Sequence, residues 1–176
     1  GAADFVPIFS CLLASEVADE LLLEHLQRRL LLQSDAGTYS MLRYHDPRVF
    51  MQLCRIFEPP QLKALFGPIK TWSFHLADTW YSMPRPEVDQ AREFSLSKAQ
   101  WRQVARIGLV NRSLAQLNLP ADVSPMAAGM KIDRLLSRAE KRYGLTHPED
   151  LIAFAIRGMS LGERFDEHPS FVSLLE

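Results

Sequence analysis

The chain contains 176 residues, of which 47% are hydrophobic and 23% are charged, a balance that argues against an intrinsically disordered protein. Its 20 Lys and Arg residues nearly equal its 21 Asp and Glu residues, so the net charge of -1 gives no reason to expect nucleic acid or a membrane surface as a partner. No apolar run approaches the roughly 20 residues that span a bilayer, and no secretion signal is visible.

The first part of the chain combines strand patterns with a helix pattern. The bulky apolar run Phe5–Leu13 predicts a buried strand, and Ser15 is the predicted N-terminal cap of the helix that follows. Turn residues at Ser34–Gly37 separate this helix from a second predicted strand, Thr38–His45, which contains aromatic and β-branched residues.

Two short helices and further strands are predicted next. A helix over Pro47–Phe57 is followed by one that Pro60 opens and that Gly67 with Pro68 closes. Aromatic segments on either side of Asp78 predict one or two strands joined by a tight turn. Residues 1–83 are therefore predicted to form an α/β lobe with a small mixed sheet.

The second half of the chain carries only helix signals. The prolines of Pro84–Phe94 interrupt any periodicity, and residues 84–96 are the predicted linker. The predicted helix starts, stops and last short helix are Ser97 with Gln100, Ser124 with Pro125, Gly144, Thr146 with Glu149, and Pro169–Glu176. Residues 97–176 are thus predicted to form an all-helical lobe, and the fold class is mixed α+β.

The doublet His45-Asp46 permits two interpretations. It resembles the His-Asp pairs that hold cations in metal-dependent phosphohydrolases, and such an enzyme is the alternative function for this chain. However, Pro47 biases Asp46 away from helical geometry, and Asp followed by Pro is a strong signal for a helix start. Capping is favoured because no second set of ligands is evident, and neither a metal nor a cofactor is assigned.

The two cysteines, Cys11 and Cys54, lie in apolar stretches with no second Cys or His at ligand spacing. They are predicted to be buried, reduced thiols, as is usual for isolated cysteines in a reducing compartment.

The segment Gly158–Gly162 matches G-x-S-x-G, the nucleophile elbow of serine hydrolases, with Ser160 at the central position. An elbow requires a strand before the serine and a helix after it, whereas the residues before Gly158 have helical spacing. We therefore predict that Ser160 is not a nucleophile and that the glycines end a helix. No catalytic residue is assigned.

Aromatic residues are concentrated on the strands around Asp78. Alternation along a strand places Trp72 and Phe74 on one face, and the next strand must point Trp80 and Tyr81 to opposite faces. One face is core, and the other is either also covered or offered to a partner, because Trp and Tyr are common interface anchors.

Arg134, Arg138 and Arg142 recur every four residues and form a basic stripe along one predicted helix. A solvated helix face is the predicted role, although arginine is also favoured at interfaces. His25 and His75 are predicted to be partly buried polar tips rather than ligands.

Four segments of the chain resemble, in this order, a known bacterial family: EHLQRRL, LRYHDPRVF, LFGPIKTW and, as a weaker match, LGERFDEHP. The family was once catalogued as a domain of unknown function and is regarded as type VI secretion effector chaperones, also called adaptors. The residues at its motif positions are Ser15, His25, Leu26, Tyr44, Asp46, Pro47, Arg48, Gly67, Pro68 and Trp72, and in the tail Gly162, Phe165, His168 and Pro169.

The resemblance implies a non-enzymatic cytoplasmic protein that holds a secreted toxin effector and helps to load it onto the secretion spike, with the spike protein as a further partner. In this interpretation the Asp46-Pro47 and Gly67-Pro68 pairs are structural. We expect Arg43, Arg48 and Trp80 to contact the effector, because Arg and Trp are common interface anchors.

The family pattern usually includes a further strand-helix-strand segment at its front, which this sequence lacks. We therefore expect the sheet containing Phe5–Leu13 to leave an edge or a face bare. A segment from elsewhere in the protein or from another chain is expected to cover it.

Overall fold

A computed structural model of the protein describes residues 10–33, 37, 39–76, 78–89, 94–120 and 122–168. The chain divides into two compact units, Gly1–Trp101 and Arg102–Glu176. All described strands lie in the first unit and the second is helical, which confirms the predicted mixed α+β fold class. The division falls inside a helix, later in the chain than the predicted linker 84–96.

The described strands form two antiparallel sheets, whereas a mixed sheet was expected. The strands are β1 (Cys11–Ser15), β2 (Leu31–Gln33), β3 (Tyr39–Met41), β4 (Ile69–Leu76) and β5 (Thr79–Pro84). The larger sheet has the order β1-β4-β5, and β2 pairs with β3. The tight turn between β4 and β5 places Asp78 at a φ of 58°, a left-handed conformation that Asp tolerates, and so short a connection permits only antiparallel pairing.

The described helices are α1 (Asp19–Arg29), α2 (Pro47–Ile56), α3 (Pro59–Phe66), α4 (Lys98–Ala115), α5 (Pro125–Tyr143) and α6 (Pro148–Leu161), with a short 3-10 turn at Phe165–Glu167. Among these described helices, none has the length and apolarity that crossing a membrane requires. The helix predicted to open at Pro60 begins one residue earlier, with Pro59 at its first position.

The sequence predicted the first strand and helix cap less well. β1 begins at Cys11, and residues 5–9 of the predicted strand Phe5–Leu13 lie outside the described residues. Ser15 is not the cap of α1, because it lies in β1 and its hydroxyl donates to the carbonyl of Pro68 at 3.2 Å. The helix instead starts after Ala18, which offers no side-chain hydrogen bond.

Helix ends in the second half follow the predicted signals closely. The capping box is present, since Gln100 accepts from the Ser97 backbone at 3.0 Å and Ser97 Oγ accepts from the Gln100 backbone at 3.3 Å. Gly144 ends α5 at a φ of 63°, as predicted. The Thr146 cap is wrong by one residue, because Pro148 occupies the first position of α6 and places His147 at the cap. The predicted helix Pro169–Glu176 lies outside the described residues.

The core of the first unit lies between one face of the larger sheet and helices α2 and α3. Trp72 and Phe74 share this face, as predicted, and both are almost fully buried. The Phe50 ring of α2 stacks on Trp72 with centroids 4.4 Å apart, and Phe66 of α3 meets the same indole edge-on at 5.7 Å. Aromatic contacts therefore fix both helices on β4.

Both cysteines are free thiols, as predicted, and both are partly buried. Burial raises the pKa of Cys54 to about 12, so this thiol stays protonated and unreactive at neutral pH.

The second unit has its own core, formed by buried residues of α4, α5 and α6: Val110, Ile132, Leu135, Leu136, Ala139, Leu151, Phe154 and Ala155. Gly158 lies inside α6 and packs closely against Leu135, since a Cβ there would lie 2.5 Å from a Leu135 methyl carbon. The prediction that this glycine ends a helix is therefore wrong, whereas Gly162 does end α6.

The arginine stripe of α5 is partly solvated, as predicted, and also forms ion pairs. The side chains of Arg134 and Arg142 are 58% and 52% exposed, whereas that of Arg138 is 31% exposed. Arg138 donates to the buried carboxylate of Asp166 at 2.9 Å, and Arg142 lies 3.8 Å from the same carboxylate. Arg134 pairs with Glu163 at 3.2 Å. The stripe therefore also holds the segment after α6 against α5.

His25 attaches α1 to the end of α3. Its Nε2 lies 2.8 Å from the carbonyl oxygen of Leu65, and because a carbonyl only accepts, Nε2 carries the proton. Burial lowers the pKa of His25, so the ring is neutral at neutral pH. Gly67 has a φ of 54°, and a Cβ on it would lie 2.1 Å from the imidazole Cε1. Gly67 is thus required both for its backbone conformation and for the approach of His25.

We expect Gly67→Ala to destabilise the first unit by roughly 3 kcal/mol, combining about 1–2 kcal/mol for left-handed geometry with about 1–3 kcal/mol for overpacking. Urea unfolding followed by tryptophan fluorescence measures this, because Trp72, Trp80 and Trp101 all lie in the first unit.

Gly37→Ala is the matched control, since Gly37 has a φ of 78° but, apart from its chain neighbours, no described residue has an atom within 4 Å of the position that the new methyl group would take. This variant should show the backbone cost alone. In the double variant His25→Ala/Gly67→Ala the imidazole is absent, so the part of the destabilisation that comes from its overlap with the new methyl group should be relieved. Equal effects of Gly67→Ala and Gly37→Ala would show that the His25 contact does not matter.

Candidate functional site

The joint between the β2–β3 ribbon and α2 is built around Asp46. Its backbone is extended, with φ -81° and ψ 117°, as expected before proline. Its carboxylate accepts the backbone N–H of Arg48 at 3.0 Å, and Pro47 occupies the first helical position. The predicted cap is confirmed.

Arg48 binds the same carboxylate with its side chain. Its Nε donates to Oδ1 at 3.0 Å and its Nη2 donates to Oδ2 at 2.8 Å, a bidentate arrangement. These hydrogen bonds from Arg48 hold the pKa of Asp46 below its ordinary value, and the nearby charge of Arg43 adds to the effect. The Arg48 guanidinium is therefore held in place although its side chain is 65% exposed.

The geometry does not support the phosphohydrolase alternative. Both oxygens of Asp46 already accept hydrogen bonds from Arg48, so a cation would have to displace a bidentate guanidinium. The adjacent His45 is exposed, and the described part of the chain contains no group of three or more His, Cys, Asp or Glu residues placed to hold a metal ion.

The other motif pair, Gly67-Pro68, forms the joint between α3 and β4. The Gly67 carbonyl accepts from Arg85 Nη1 at 2.6 Å, and the Pro68 carbonyl accepts the Ser15 hydroxyl. Behind the Asp46 joint, the Tyr44 hydroxyl donates to the Leu26 carbonyl at 2.6 Å. These contacts tie the motif residues of the first unit into one framework, which is the structural role predicted for them.

An open cleft of about 540 Å³ lies where the Asp46 joint meets the turn between β4 and β5. Its lining residues are Ser10, Arg43, His45, Asp46, Pro47, Arg48, His75, Leu76 and Asp78. Two of the residues predicted to contact a partner, Arg43 and Arg48, line the cleft. The third, Trp80, does not line it, but its ring lies 5.4 Å from that of His75, which does.

The cleft is charged, and its charges are not all paired. Arg48 and Asp46 bind each other, whereas Arg43 makes no ion pair with any described residue, and Asp78 lies at the far rim on the turn. Guanidinium, imidazole and carboxylate groups offer hydrogen bonds to a polypeptide. The cleft therefore has the polar groups that recognition of a polypeptide requires.

Trp80 and Tyr81 point to opposite faces of β5, as predicted. Tyr81 stacks on the buried Phe74 ring with centroids 5.4 Å apart, and Trp80 is 47% exposed on the other face of the sheet. Leu12 of β1 is also exposed on that face, at 54%. The described residues therefore leave one sheet face uncovered, which agrees with the expectation of a bare face; what covers it stays a prediction.

Ser160 lies within α6, and its hydroxyl donates to the Ile156 carbonyl at 3.0 Å. This is the common back-bond of a helical serine, and the strand before the serine that an elbow needs is replaced by helix. The match to the elbow pattern is therefore coincidental.

No local pattern in the sequence connects His75 and Asp78 with the Asp46 joint. The two segments are some thirty positions apart and meet only because α2 packs on β4, a long-range contact without a local signal. Within the sequence, only the predicted turn at Asp78 indicated a polar side chain at this end of the strands.

Comparison with known proteins gives one match. Residues 2–64, less than half of the chain, match a family model described as a domain of unknown function, DUF4123. The match includes α1, the Asp46 joint, α2 and most of α3. No curated protein matches the chain. No solved structure matches it.

We expect Asp46→Ala to lower the free energy of unfolding of the first unit by about 1 kcal/mol, because it removes the cap of α2. Asp46→Asn should cost less, since its amide oxygen still accepts the Arg48 N–H. Because the pKa of Asp46 is lowered in the folded state, its charge stabilises the fold above the ordinary carboxyl pKa of about 3.9.

That contribution is lost as the pH falls through the folded-state pKa. Urea midpoints of the parent and Asp46→Asn should therefore differ at neutral pH and converge in acid. A pH-independent difference between them would contradict the role of the carboxylate charge.

Proposed function

We propose that this chain is a chaperone, or adaptor, that binds a type VI secretion effector in the bacterial cytoplasm and helps to load it onto the secretion spike. The observation that carries the proposal is the match of residues 2–64 to the DUF4123 model, in the region where the motifs resemble the adaptor family. The joint formed by Asp46, Pro47 and Arg48 lies within that match and forms one wall of the cleft.

The cleft supplies the chemistry that such a partner requires. Arg48 presents a guanidinium that Asp46 has already oriented, and Arg43 presents a second one that has no ion pair among the described residues. Next to them, Trp80 offers an exposed aromatic ring on the uncovered sheet face. Arg and Trp, together with Tyr, are enriched among the residues that dominate binding energy between proteins.

Binding in this proposal needs no chemical step. The effector is held by hydrogen bonds and by burial of Trp80, and release requires only that these contacts be exchanged for contacts to the spike.

We expect the double variant Arg48→Ala/Trp80→Ala to bind the co-expressed product of the neighbouring reading frame at least about tenfold more weakly than the parent, because two anchors are removed. Arg43→Ala alone should have a smaller effect in the same direction. Affinity-tag co-purification measures the binding, with folding checked by an unchanged circular dichroism spectrum.

Arg157→Ala is the matched control, since Arg157 is an exposed arginine of α6 in the second unit. Undiminished binding by the double variant would show that the cleft is not the site. Failure of the parent to retain any such product would contradict the adaptor function itself.

A further inference from the structure

Strand β5 forms one edge of the larger sheet, and among the described residues no strand pairs with its outer side. Its pairing with β4 is regular, from Leu76 opposite Thr79 to Thr71 opposite Pro84. Just beyond the strand, the Arg85 N–H donates to the Lys70 carbonyl at 2.8 Å. This bond fixes which residues of β5 face β4, because the bonded residues of an antiparallel pair alternate.

The alternation directs the backbone groups of Thr79, Tyr81 and Met83 towards β4. The N–H and C=O groups of Trp80 and Ser82 therefore point outwards from the sheet, as does the carbonyl of Pro84. The His75 N–H donates to the Ser10 carbonyl, so the backbone groups of His75 point towards β1 and those of its two neighbours in β4 point towards β5. This agrees with the assignment for β5. An edge with outward donors and acceptors is a template for an added strand.

Proteins usually protect such edges, and β5 lacks the usual protection. Strand β5 contains no charged residue, and its one proline, Pro84, is its last residue. The register between β4 and β5 has no irregularity, so no bulge twists this edge away. The only register shift described in the sheet lies between β1 and β4, where β4 contributes the extra residue Lys70. The edge at β5 is thus left open among the described residues.

The side chains along β5 indicate what kind of strand fits. Tyr81 and Met83 point to the core face but are only half-buried, so the core is incompletely closed at this edge. Alternate apolar side chains of an added strand would cover them, and the intervening side chains would lie beside Trp80 and Ser82 on the open face.

We propose that an extended segment of the effector, with apolar residues at alternating positions, adds to β5 as a fourth strand of the larger sheet. This proposal rests on the proposed function and specifies how the partner is held. The edge is continuous with the cleft, because Asp78 lines the cleft and immediately precedes β5. A polypeptide that contacts Arg43 and Arg48 in the cleft can therefore continue along the outer edge of β5.

Ser82 allows a test that removes one backbone donor. Ser82→Pro deletes an outward N–H, a position at which edge strands tolerate proline, while Ser82→Ala keeps that N–H. Both variants lose the hydrogen bond between the hydroxyls of Ser82 and Ser73, 2.7 Å apart, so they differ chiefly in the backbone. We expect Ser82→Pro to bind the co-expressed product of the neighbouring reading frame at least about tenfold more weakly than Ser82→Ala, because its partner carbonyl loses a donor.

Amide hydrogen exchange measured by NMR tests the same idea without a variant. In the free protein the Trp80 and Ser82 amides should exchange rapidly, while those of Tyr81 and Met83 are protected by β4. In the purified complex with that product, Trp80 and Ser82 should become protected as well.

The alternative results each overturn the proposal in a recognisable way. A complex in which the two amides still exchange rapidly, or in which both Ser82 variants bind equally, leaves the adaptor function intact and removes the added strand. Protection in the free protein that rises with its concentration shows a second copy on the edge, and concentration-independent protection shows another part of the chain there. If no complex forms with the parent, the adaptor function fails and the strand addition fails with it.

Discussion

The stacking of Phe50 on Trp72 is the contact on which the rest of the first unit depends. The rings lie 4.4 Å apart and both side chains are almost completely buried, so α2 has one position on β4. Since α2 starts at Pro47, the same contact decides where the Asp46 joint lies relative to the turn at Asp78. The cleft exists because a core contact aligns a helix start with a hairpin turn, and its exposed charges add little to stability.

Asp46 has a structural role and, in the proposed function, a role in recognition. As a cap it satisfies a backbone donor of α2, and as a counter-charge it holds the Arg48 guanidinium in one orientation. An exposed arginine normally loses rotamer freedom when a partner binds it, and holding it beforehand reduces that cost. Arg43 has no such restraint among the described residues. The cleft therefore combines one preorganised guanidinium with one that no ion pair among the described residues restrains.

Local signals in the sequence predicted local structure well, and long-range pairing was where they failed. The Asp46 cap, the Ser97 box and the stop at Gly144 depend on residues within a few positions, so the sequence contains their causes. The strand β2 continues the leucine-rich pattern of α1, and only pairing with β3 distinguishes it. The ion pair of Arg138 was not predicted, because its partner Asp166 lies 28 positions away.

Although the net charge of the chain is close to zero, the charges that are not held in buried ion pairs are unevenly distributed between the two units. In the second unit Arg106 is buried between Asp133 at 2.8 Å and Glu140 at 3.1 Å, and Arg138 holds the fully buried Asp166. Removing one member of a buried pair leaves the other charge buried and unpaired. These guanidiniums therefore stabilise the fold and are not available to a partner. In the first unit, by contrast, Arg43 lies at an open cleft beside an exposed tryptophan and an unprotected strand edge. In the proposed function, recognition therefore depends on a few local groups of the first unit rather than on the overall charge of the chain.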